Sequence, residues 1–192
     1  MTAIPDRVRA HLREHFAGLQ PDSASVTFLG VEPIEVLRFA TGGLVHYISA
    51  GCSRHPMTDP AEIVADPLRG PRAEVVLRLR NPGSVPGLAR SLAIVAAAPA
   101  VEGTVLVPDA LIDLGASLWA RAPFTAVLLG PSDIPALPLD PPAEPVTFLA
   151  ATPITATEAA WVRLKGPEAM HQAWDNDGVD VLDPKRPAAQ PR

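Results

Sequence analysis

The sequence VHYISAGCSRHPM, residues 45–57, is the most informative stretch of the chain for predicting its fold. Its first residues include the apolar side chains of Val45 and Ile48. Gly51 then opens a short segment that holds a cysteine, an arginine, a histidine and a proline. An apolar run followed directly by glycine and proline is typical of a strand that ends in a tight turn. We therefore predict a strand and a rigid turn, with Gly51 and Pro56 fixing the backbone of that turn.

The residues before this strand predict one helix and two further strands. Strands are predicted at residues 26–29 and 34–39, with Glu32 and Pro33 forming the turn between them and residues 41–43 forming the next turn. Apolar side chains recur at helical spacing in the N-terminal segment, which predicts an amphipathic helix over residues 4–18. That apolar stripe consists of Ile4, Val8, Leu12, Phe16 and Leu19.

The segment after the turn predicts a loop and then a half-exposed strand. Residues 58–72 contain three prolines and predict an irregular loop with at most one helical turn, at residues 61–65. This loop is a candidate for function. Residues 73–80 alternate in polarity, as in a strand with one buried face. The buried face is predicted to carry Val75, Leu77 and Leu79. The opposite face, open to water or a ligand, is predicted to carry Glu74, Arg78 and Arg80.

The next apolar runs predict a helix and three strands: a helix over residues 86–98, and strands over residues 103–107, 124–129 and 146–151. The sequence pattern of residues 110–114 is ambiguous and does not predict their secondary structure. Residues 131–145 contain six prolines and predict an extended connection on the surface.

The C-terminal region predicts two helices and a tail. Thr155 and Glu158 have the spacing of a capping box, which predicts a helix that begins there and continues to residue 165. Gly166 and Pro167 end this helix and allow a second one over residues 168–174. The proline-rich and alanine-rich residues 183–192 predict a flexible tail. Taken together, these predicted elements indicate an α+β fold with a mixed, largely antiparallel sheet. We expect a single domain over residues 1–186, with its core at about residues 25–182.

Composition restricts the classes of function. A chain of 192 residues with 47% hydrophobic and 19% charged residues can form a folded core. Its net charge of −5 argues against a nucleic-acid-binding surface. The apolar run at residues 92–98 is too short for a membrane span, and residues 1–16 lack the apolar centre of a signal peptide. With a single cysteine as well, we expect a cytoplasmic protein; its oligomeric state is left open.

Two groups of residues suggest chemistry, and each has a plainer interpretation. Cys52 with His55 and Asp59 could form a thiol nucleophile and its base. The favoured interpretation makes Cys52 a small buried apolar group in a structural turn. His11 and His15 have the spacing of two metal ligands on a helix, but no further ligand follows. We therefore predict neither a metal nor a cofactor nor catalysis, and the thiol enzyme is kept as the alternative.

The remaining candidates are residues that could contact a protein partner. Arg54 lies in the rigid turn and is expected to pair with a carboxylate of its own chain or, alternatively, of a partner. Trp119 and Arg121 lie in a proline-bounded segment that is predicted to be exposed. His55 and Met57 flank Pro56 and complete the set of predicted partner contacts.

Several segments together resemble the suppressor-of-fused family. They are the strand that ends in GCSRHPM (residues 51–57), the strand EVVLRL (residues 74–79), the helix PGLARSLAIVAAAP (residues 86–99) and the run VTFLAATPITATEAAWVRLKGPEAM (residues 146–170). DPKR at residues 183–186 resembles the closing segment of the family. The order and spacing of these short segments carry the resemblance, from about residue 26 to residue 186.

This resemblance implies a mixed sheet covered by helices and a function in binding rather than catalysis. Animal members restrain Gli transcription factors with two domains that trap an extended peptide, and this chain resembles the first domain alone. No Gli-binding residue is therefore carried over. Single-domain bacterial relatives are inferred to be immunity proteins, so toxin neutralisation is the most specific expectation, and the acidic charge suits a basic toxin. A structural subunit of a larger complex is a further alternative.

Overall fold

The computed structural model describes residues 3–58, 61 and 66–190. These residues form four α-helices, seven strands and one short 3-10 turn at Cys52–Arg54. The helices are α1 (Ile4–His15), α2 (Leu88–Glu102), α3 (Ala156–Lys165) and α4 (Pro167–Asp177). The strands are β1 (Asp22–Phe28), β2 (Val31–Thr41), β3 (Leu44–Ala50), β4 (Arg72–Arg80), β5 (Leu111–Asp113), β6 (Phe124–Pro131) and β7 (Val146–Thr155).

The seven strands form one mixed sheet in the order β1-β2-β3-β4-β7-β6-β5. Neighbouring strands are antiparallel except for β4 and β7, which run parallel. The predicted α+β class with a mixed, largely antiparallel sheet is therefore confirmed.

Helices cover both faces of this sheet. On one face α2 packs over β2, β3 and β4, and the segment between β5 and β6 adds Leu118 and Trp119 to the same core. On the other face α1 buries Val8 and Leu12 against β2 and β3, while α3 and α4 cover β6. No helix among the described residues is long and apolar enough to cross a bilayer. The sheet is thus the middle layer of three.

The N-terminal helix is shorter than its apolar pattern predicts. It ends at His15, and the chain then turns through positive φ angles of 53° at Ala17 and 82° at Gly18. A glycine tolerates such an angle without strain, which stops the helix there. Leu19, predicted in the buried stripe, is 42% exposed because it lies beyond this turn.

Prolines mislead the prediction at two element boundaries. Glu32 and Pro33, predicted as a turn, lie inside β2; the turn is at residues 29–30, where Gly30 has a φ of 77°. Pro33 is tolerated beside a register shift in the β1–β2 ladder, where its missing N–H leaves no regular bond unmade. Helix α2, predicted to end at residue 98, continues through Pro99 to Glu102.

Two more segments differ from the prediction. Residues 103–107 form no strand, because the left-handed Gly103 at the end of α2 sends the chain into an irregular path, whereas the undecided residues 110–114 contain β5. The proline-rich residues 131–145 are partly buried, since Ile134 and Leu137 pack with α1. The helical turn predicted at residues 61–65 lies outside the described residues except for residue 61.

A buried ion pair attaches the C-terminal segment to the fold. Arg186 is 3% exposed, and its guanidinium lies 2.7 Å from a carboxylate oxygen of Glu158, the capping-box residue of α3. It also lies over the rings of Phe124 and Trp174 at 5.0 and 5.7 Å. Ala189 is buried too, and its N–H donates to Glu158. The sequence predicts a flexible tail from residue 183, whereas this part of it is packed.

Candidate functional site

The turn that follows β3 is held from inside by one carboxylate of β4. Glu74 is fully buried. Its Oε1 accepts bonds from the N–H groups of Gly51 and Ser53 at 2.9 and 3.0 Å and from the Ser53 hydroxyl at 2.6 Å. Its Oε2 accepts from the Ser49 hydroxyl at 2.5 Å. The predicted exposure of Glu74 is therefore wrong: this face of β4 is covered by the chain's own turn.

An arginine of the same strand holds the other side of the turn. Arg72 is 4% exposed, and its Nη1 donates to the carbonyl oxygens of Ser53 and Arg54 at 2.8 and 2.9 Å. Arg72 and Glu74 lie two positions apart in the strand and so point to the same face. The carboxylate satisfies the N–H groups of the turn and the guanidinium satisfies its carbonyls, which gives the turn one backbone conformation.

Glycine is required at two positions around the turn. Gly51 has a φ of 141°, and a Cβ added there would lie 3.2 Å from the carbonyl oxygen of Pro33. Gly70 has a φ of 129°, and its Cβ would lie 3.1 Å from the ring of Pro56. Pro56, predicted to fix the turn, thus packs against the far end of the following loop. A side chain at either position would therefore be strained, both by these close contacts and by the positive φ.

The thiol in the turn is not activated. Cys52 is partly exposed and not the fully buried residue that the sequence predicts; desolvation, together with the nearby Glu74 carboxylate, still raises its pKa well above the ordinary value. Burial also raises the pKa of Glu74 itself, against the opposing effect of its hydrogen bonds. His55 points elsewhere, with Nε2 2.9 Å from a carboxylate oxygen of Glu32, and Asp59 lies outside the described residues. Cys52 is therefore a neutral thiol at pH 7 with no imidazole partner.

The outward side of the turn carries charge. Arg54 lies 3.5 Å from Glu32, and its guanidinium also reaches the carbonyl oxygen of Pro33 at 3.5 Å. This contact is the expected pairing of Arg54 with a carboxylate of its own chain. The side chains of Arg54, His55 and Glu32 are 25%, 75% and 57% exposed. Long contacts between partly exposed charges are weak, so a partner's groups can replace them at little cost.

An open groove of about 550 Å³ lies between this turn, the start of β2 and the end of α2. Its floor is apolar and its rim is charged, an arrangement that suits an apolar anchor from a partner surrounded by polar contacts. The buried Ile34 and Ala96 and the partly buried Pro99 line its floor, and Glu32, Arg54, His55, Ala100 and Glu102 line its more exposed rim. Cys52 lines the groove as well.

Two of the predicted partner contacts lie inside the protein. Trp119 is 6% exposed because the segment after β5 folds onto the sheet, where its ring packs 5.4 Å from that of Phe124. Its predicted exposure is wrong. Met57 is 5% exposed, and its sulfur accepts a bond from the N–H of Leu106 at 3.3 Å. Arg121 is exposed but does not line the groove.

The helix-spaced histidines are used in packing. His11 donates from Nε2 to the carbonyl oxygen of Pro135 at 2.8 Å and stacks on Phe148. His15 meets the ring of Phe16 edge to face. Within residues 3–58, 61 and 66–190 no group of three or more His, Cys, Asp or Glu side chains could hold a metal ion.

The sequence prediction missed the residues that hold the turn, namely Ser49, Ser53, Arg72 and Glu74. One signal was present: an arginine and a glutamate two apart in a strand otherwise rich in β-branched and aliphatic residues. Charges on one face of a strand that the fold buries must find partners. The serines on either side of Gly51 are such partners.

Comparison with known proteins agrees with the resemblance in the sequence. Residues 30–187 match the family model described as suppressor of fused protein. No curated protein matches the chain. The chain is similar in fold to the crystal structure of a suppressor-of-fused homologue from Neisseria gonorrhoeae, with a TM-score of 0.73, 17% identity and 97% of each chain covered.

Two further solved structures share the fold. One is a chain of the Sufu–Fu complex, with a TM-score of 0.67, 15% identity, and coverage of 99% of this chain and 91% of that one. The other is Drosophila Suppressor of Fused, with a TM-score of 0.69 and 15% identity. This match covers 97% of this chain and 51% of the Drosophila chain, so the chain spans about half of the Drosophila protein.

Proposed function

The chain belongs to the suppressor-of-fused family, and from this we propose that it acts by binding a protein partner and not by catalysis. The observation that carries the proposal is the groove beside the residue 51–57 turn, which combines a fixed backbone, an apolar floor and a charged rim. A rigid turn loses little conformational freedom on binding, which favours affinity. A solved structure with the same fold is a complex, that of Sufu with Fu.

We place the partner on the loop of residues 51–66, in contact with Arg54 and His55; residues 59–60 and 62–65 of this loop lie outside the described part. A second surface is the outer edge of β1, which pairs only with β2 among the described strands. An extended segment of a partner could add to that edge through backbone hydrogen bonds. Arg121 would contact a partner only if the interface reached beyond the groove.

The most specific form of this proposal is an immunity protein that neutralises a toxin in the cytoplasm. The net charge of −5 supports it, because an acidic protein attracts the basic surfaces of toxins that act on nucleic acids. The single cysteine suits a reducing compartment.

Affinity capture from a host lysate, followed by mass spectrometry, tests this function. The wild type should retain a stoichiometric partner that a double variant, Arg54→Glu with His55→Glu, loses. Arg13→Glu is the matched control, because Arg13 is exposed on α1, away from the groove. A partner that the double variant retains in full would contradict the proposed surface, and no captured partner under several growth conditions would contradict the binding function.

The rival function is a thiol enzyme centred on Cys52, since this thiol lines the groove. Its raised pKa opposes that function. We expect iodoacetamide to modify the native protein slowly at pH 7 and rapidly after unfolding, and Cys52→Ala to retain the protein's effect in cells. Fast modification of the folded protein, with loss of that effect in Cys52→Ala, would favour the enzyme.

A further inference from the structure

The outward face of α2 is unusually apolar for a surface helix. Its inner face packs on the sheet, yet Ile94 and Val101 on the outer face are 39% and 60% exposed. Arg90, Ile94, Ala98 and Val101 follow a spacing of four, four and three residues along one side of the helix, where the small Ala98 is only 6% exposed at the bottom of a groove. A helix that is apolar on both sides is ordinarily covered on both sides.

Opposite charges stand at the two ends of this stripe. Arg90 and Glu102 are both exposed, and neither forms an ion pair within the described part of the chain. They are twelve positions apart, about 18 Å along the axis at 1.5 Å per residue. Each is therefore equally far from residue 96, the middle of the stripe. A stripe with this charge pattern is complementary to a reversed copy of itself.

We propose that a second copy of the chain covers this stripe, with the two α2 helices antiparallel about a two-fold axis at the level of residue 96. Arg90 of each copy then lies at the level of Glu102 of the other, so two ion pairs form. Ile94 lies opposite Ala98, and Val101 opposite Ser91, so that each large side chain meets a small one. A parallel arrangement would place like charges together.

The surface beside the stripe is concave. An open groove of about 570 Å³ runs along this side of α2, between Ile94 and Ala98 on one wall and Ile112 and Leu114 on the other. The groove at the residue 51–57 turn opens on the other flank of α2 and shares only Glu102 with it among the lining residues. Self-association therefore leaves Arg54 and His55 available to a different partner.

Sedimentation velocity over a range from low to high micromolar concentration tests the proposal. The wild type should pass from monomer to dimer, and Ile94→Asp should stay monomeric. Arg90→Glu and Glu102→Arg should each weaken dimerisation about tenfold, because each turns two weak attractions into repulsions. The exchange of both, Arg90→Glu with Glu102→Arg, should restore it. Arg13→Glu makes the same charge change on the other face and should leave dimerisation unchanged.

Circular dichroism establishes that each variant is folded, so that a change in sedimentation reports on dimerisation. A wild type that stays monomeric at the highest concentration would overturn the proposal and leave the stripe to an unlike partner. A dimer that both single charge reversals leave intact would also overturn it. So would failure of the exchanged pair to restore a dimer that the single reversals weaken.

Discussion

Glu74 shows how a single side chain determines the shape of the candidate site. Strand alternation correctly places it on the opposite face from Val75 and Leu77. The sequence pattern cannot tell what lies over that face, since the cover is a turn some twenty positions earlier in the chain. The glycine and the proline of the turn could be predicted because their effects are local. The role of Glu74 in holding the turn could not be predicted, because it depends on the pairing of β3 with β4.

Replacement of Glu74 should unfold the turn and weaken the whole domain. Glu74→Ala leaves four buried donors without an acceptor, which should lower the free energy of unfolding by about 3–5 kcal/mol. Glu74→Gln keeps an acceptor oxygen and carries no charge, so it should cost clearly less. Urea denaturation of the two variants measures this, and equal costs would show that the carboxyl oxygens do not hold the turn.

The pKa of Glu74 gives this comparison a pH dependence. Burial raises the pKa of the folded protein's Glu74 above the ordinary value of 4.5, so its contribution to stability is lost as the pH rises through the folded pKa. Glu74→Gln lacks this loss. The free energy of unfolding of Glu74→Gln, relative to that of the wild type, should therefore be higher at pH 7 than at pH 4.

His46 should make the protein less stable in mild acid. It is 7% exposed, and burial, with the charge of Arg78, lowers its pKa below 6.5. Its Nδ1 has no hydrogen-bond partner among the residues that the structure describes. A lowered folded pKa means that stability is complete above pH 6.5 and falls as the pH drops through the folded pKa. Denaturation at pH 7.5 and 5.5 should show this loss in the wild type and a smaller one in His46→Phe.

A neighbouring substitution separates this titration from ordinary packing. Val45→Ala removes buried apolar surface on the same strand without removing a titratable group, so it should cost the same at both pH values. If His46→Phe and the wild type lose equal stability between pH 7.5 and 5.5, protonation of His46 does not contribute.

At the scale of elements, residue patterns predict which segments are helices and strands better than where they end. The capping box of Thr155 and Glu158 is a local signal, and α3 begins where it predicts. Pro33 and Pro99 are local signals too, but tertiary packing overrides both: one lies inside a strand and the other inside a helix. A proline shows that an N–H is missing, and the surrounding structure decides whether that N–H was needed.

The C-terminal segment illustrates a contact between elements that composition hides. Residues 183–192 predict a tail because proline and alanine offer little to bury. Arg186 changes this outcome: it donates to both carboxylate oxygens of Glu158 and lies against two aromatic rings. Its partner is 28 positions away, and spacing along the chain gives no sign of it.

Two arginine variants test the strength of that attachment. Arg186→Met keeps most of the volume but leaves Glu158 buried without its cation, which should cost about 3–5 kcal/mol. Arg163→Met removes an ion pair to Asp113 on the surface, where the Arg163 side chain is 55% exposed, and should cost less than about 1 kcal/mol. Urea denaturation compares them, and similar costs would mean that the buried pair does not secure the segment.

At the scale of the whole molecule, the family resemblance implied a mixed sheet covered by helices, but the order of its strands was not predicted. The two halves of the sheet meet at the parallel pair β4 and β7, whose paired residues Arg72 and Val146 lie far apart in the chain. No pattern within a short window contains such a pairing. Several short segments in the right order carried more information about the architecture than any one of them.

The surface of the molecule divides into regions with different expected roles. The turn and its groove offer charge around an apolar floor, and the α2 stripe on the other flank offers an apolar face with a charge at each end. The sequence predicts Arg54 and His55 in a turn after a strand, and both follow β3 in the structure; their contact with a partner stays a prediction. It could not identify the groove, because the floor comes from α2 and β2.

The affinity of the captured partner for matched charge variants tests most directly whether the turn is the binding surface. Isothermal titration calorimetry would compare the wild type, Arg54→Glu and the control Arg13→Glu, each with an unchanged unfolding midpoint. We expect Arg54→Glu to weaken binding at least tenfold, about 1.4 kcal/mol, and Arg13→Glu to bind as the wild type does. Equal affinity of Arg54→Glu and the wild type would contradict a binding function at this turn.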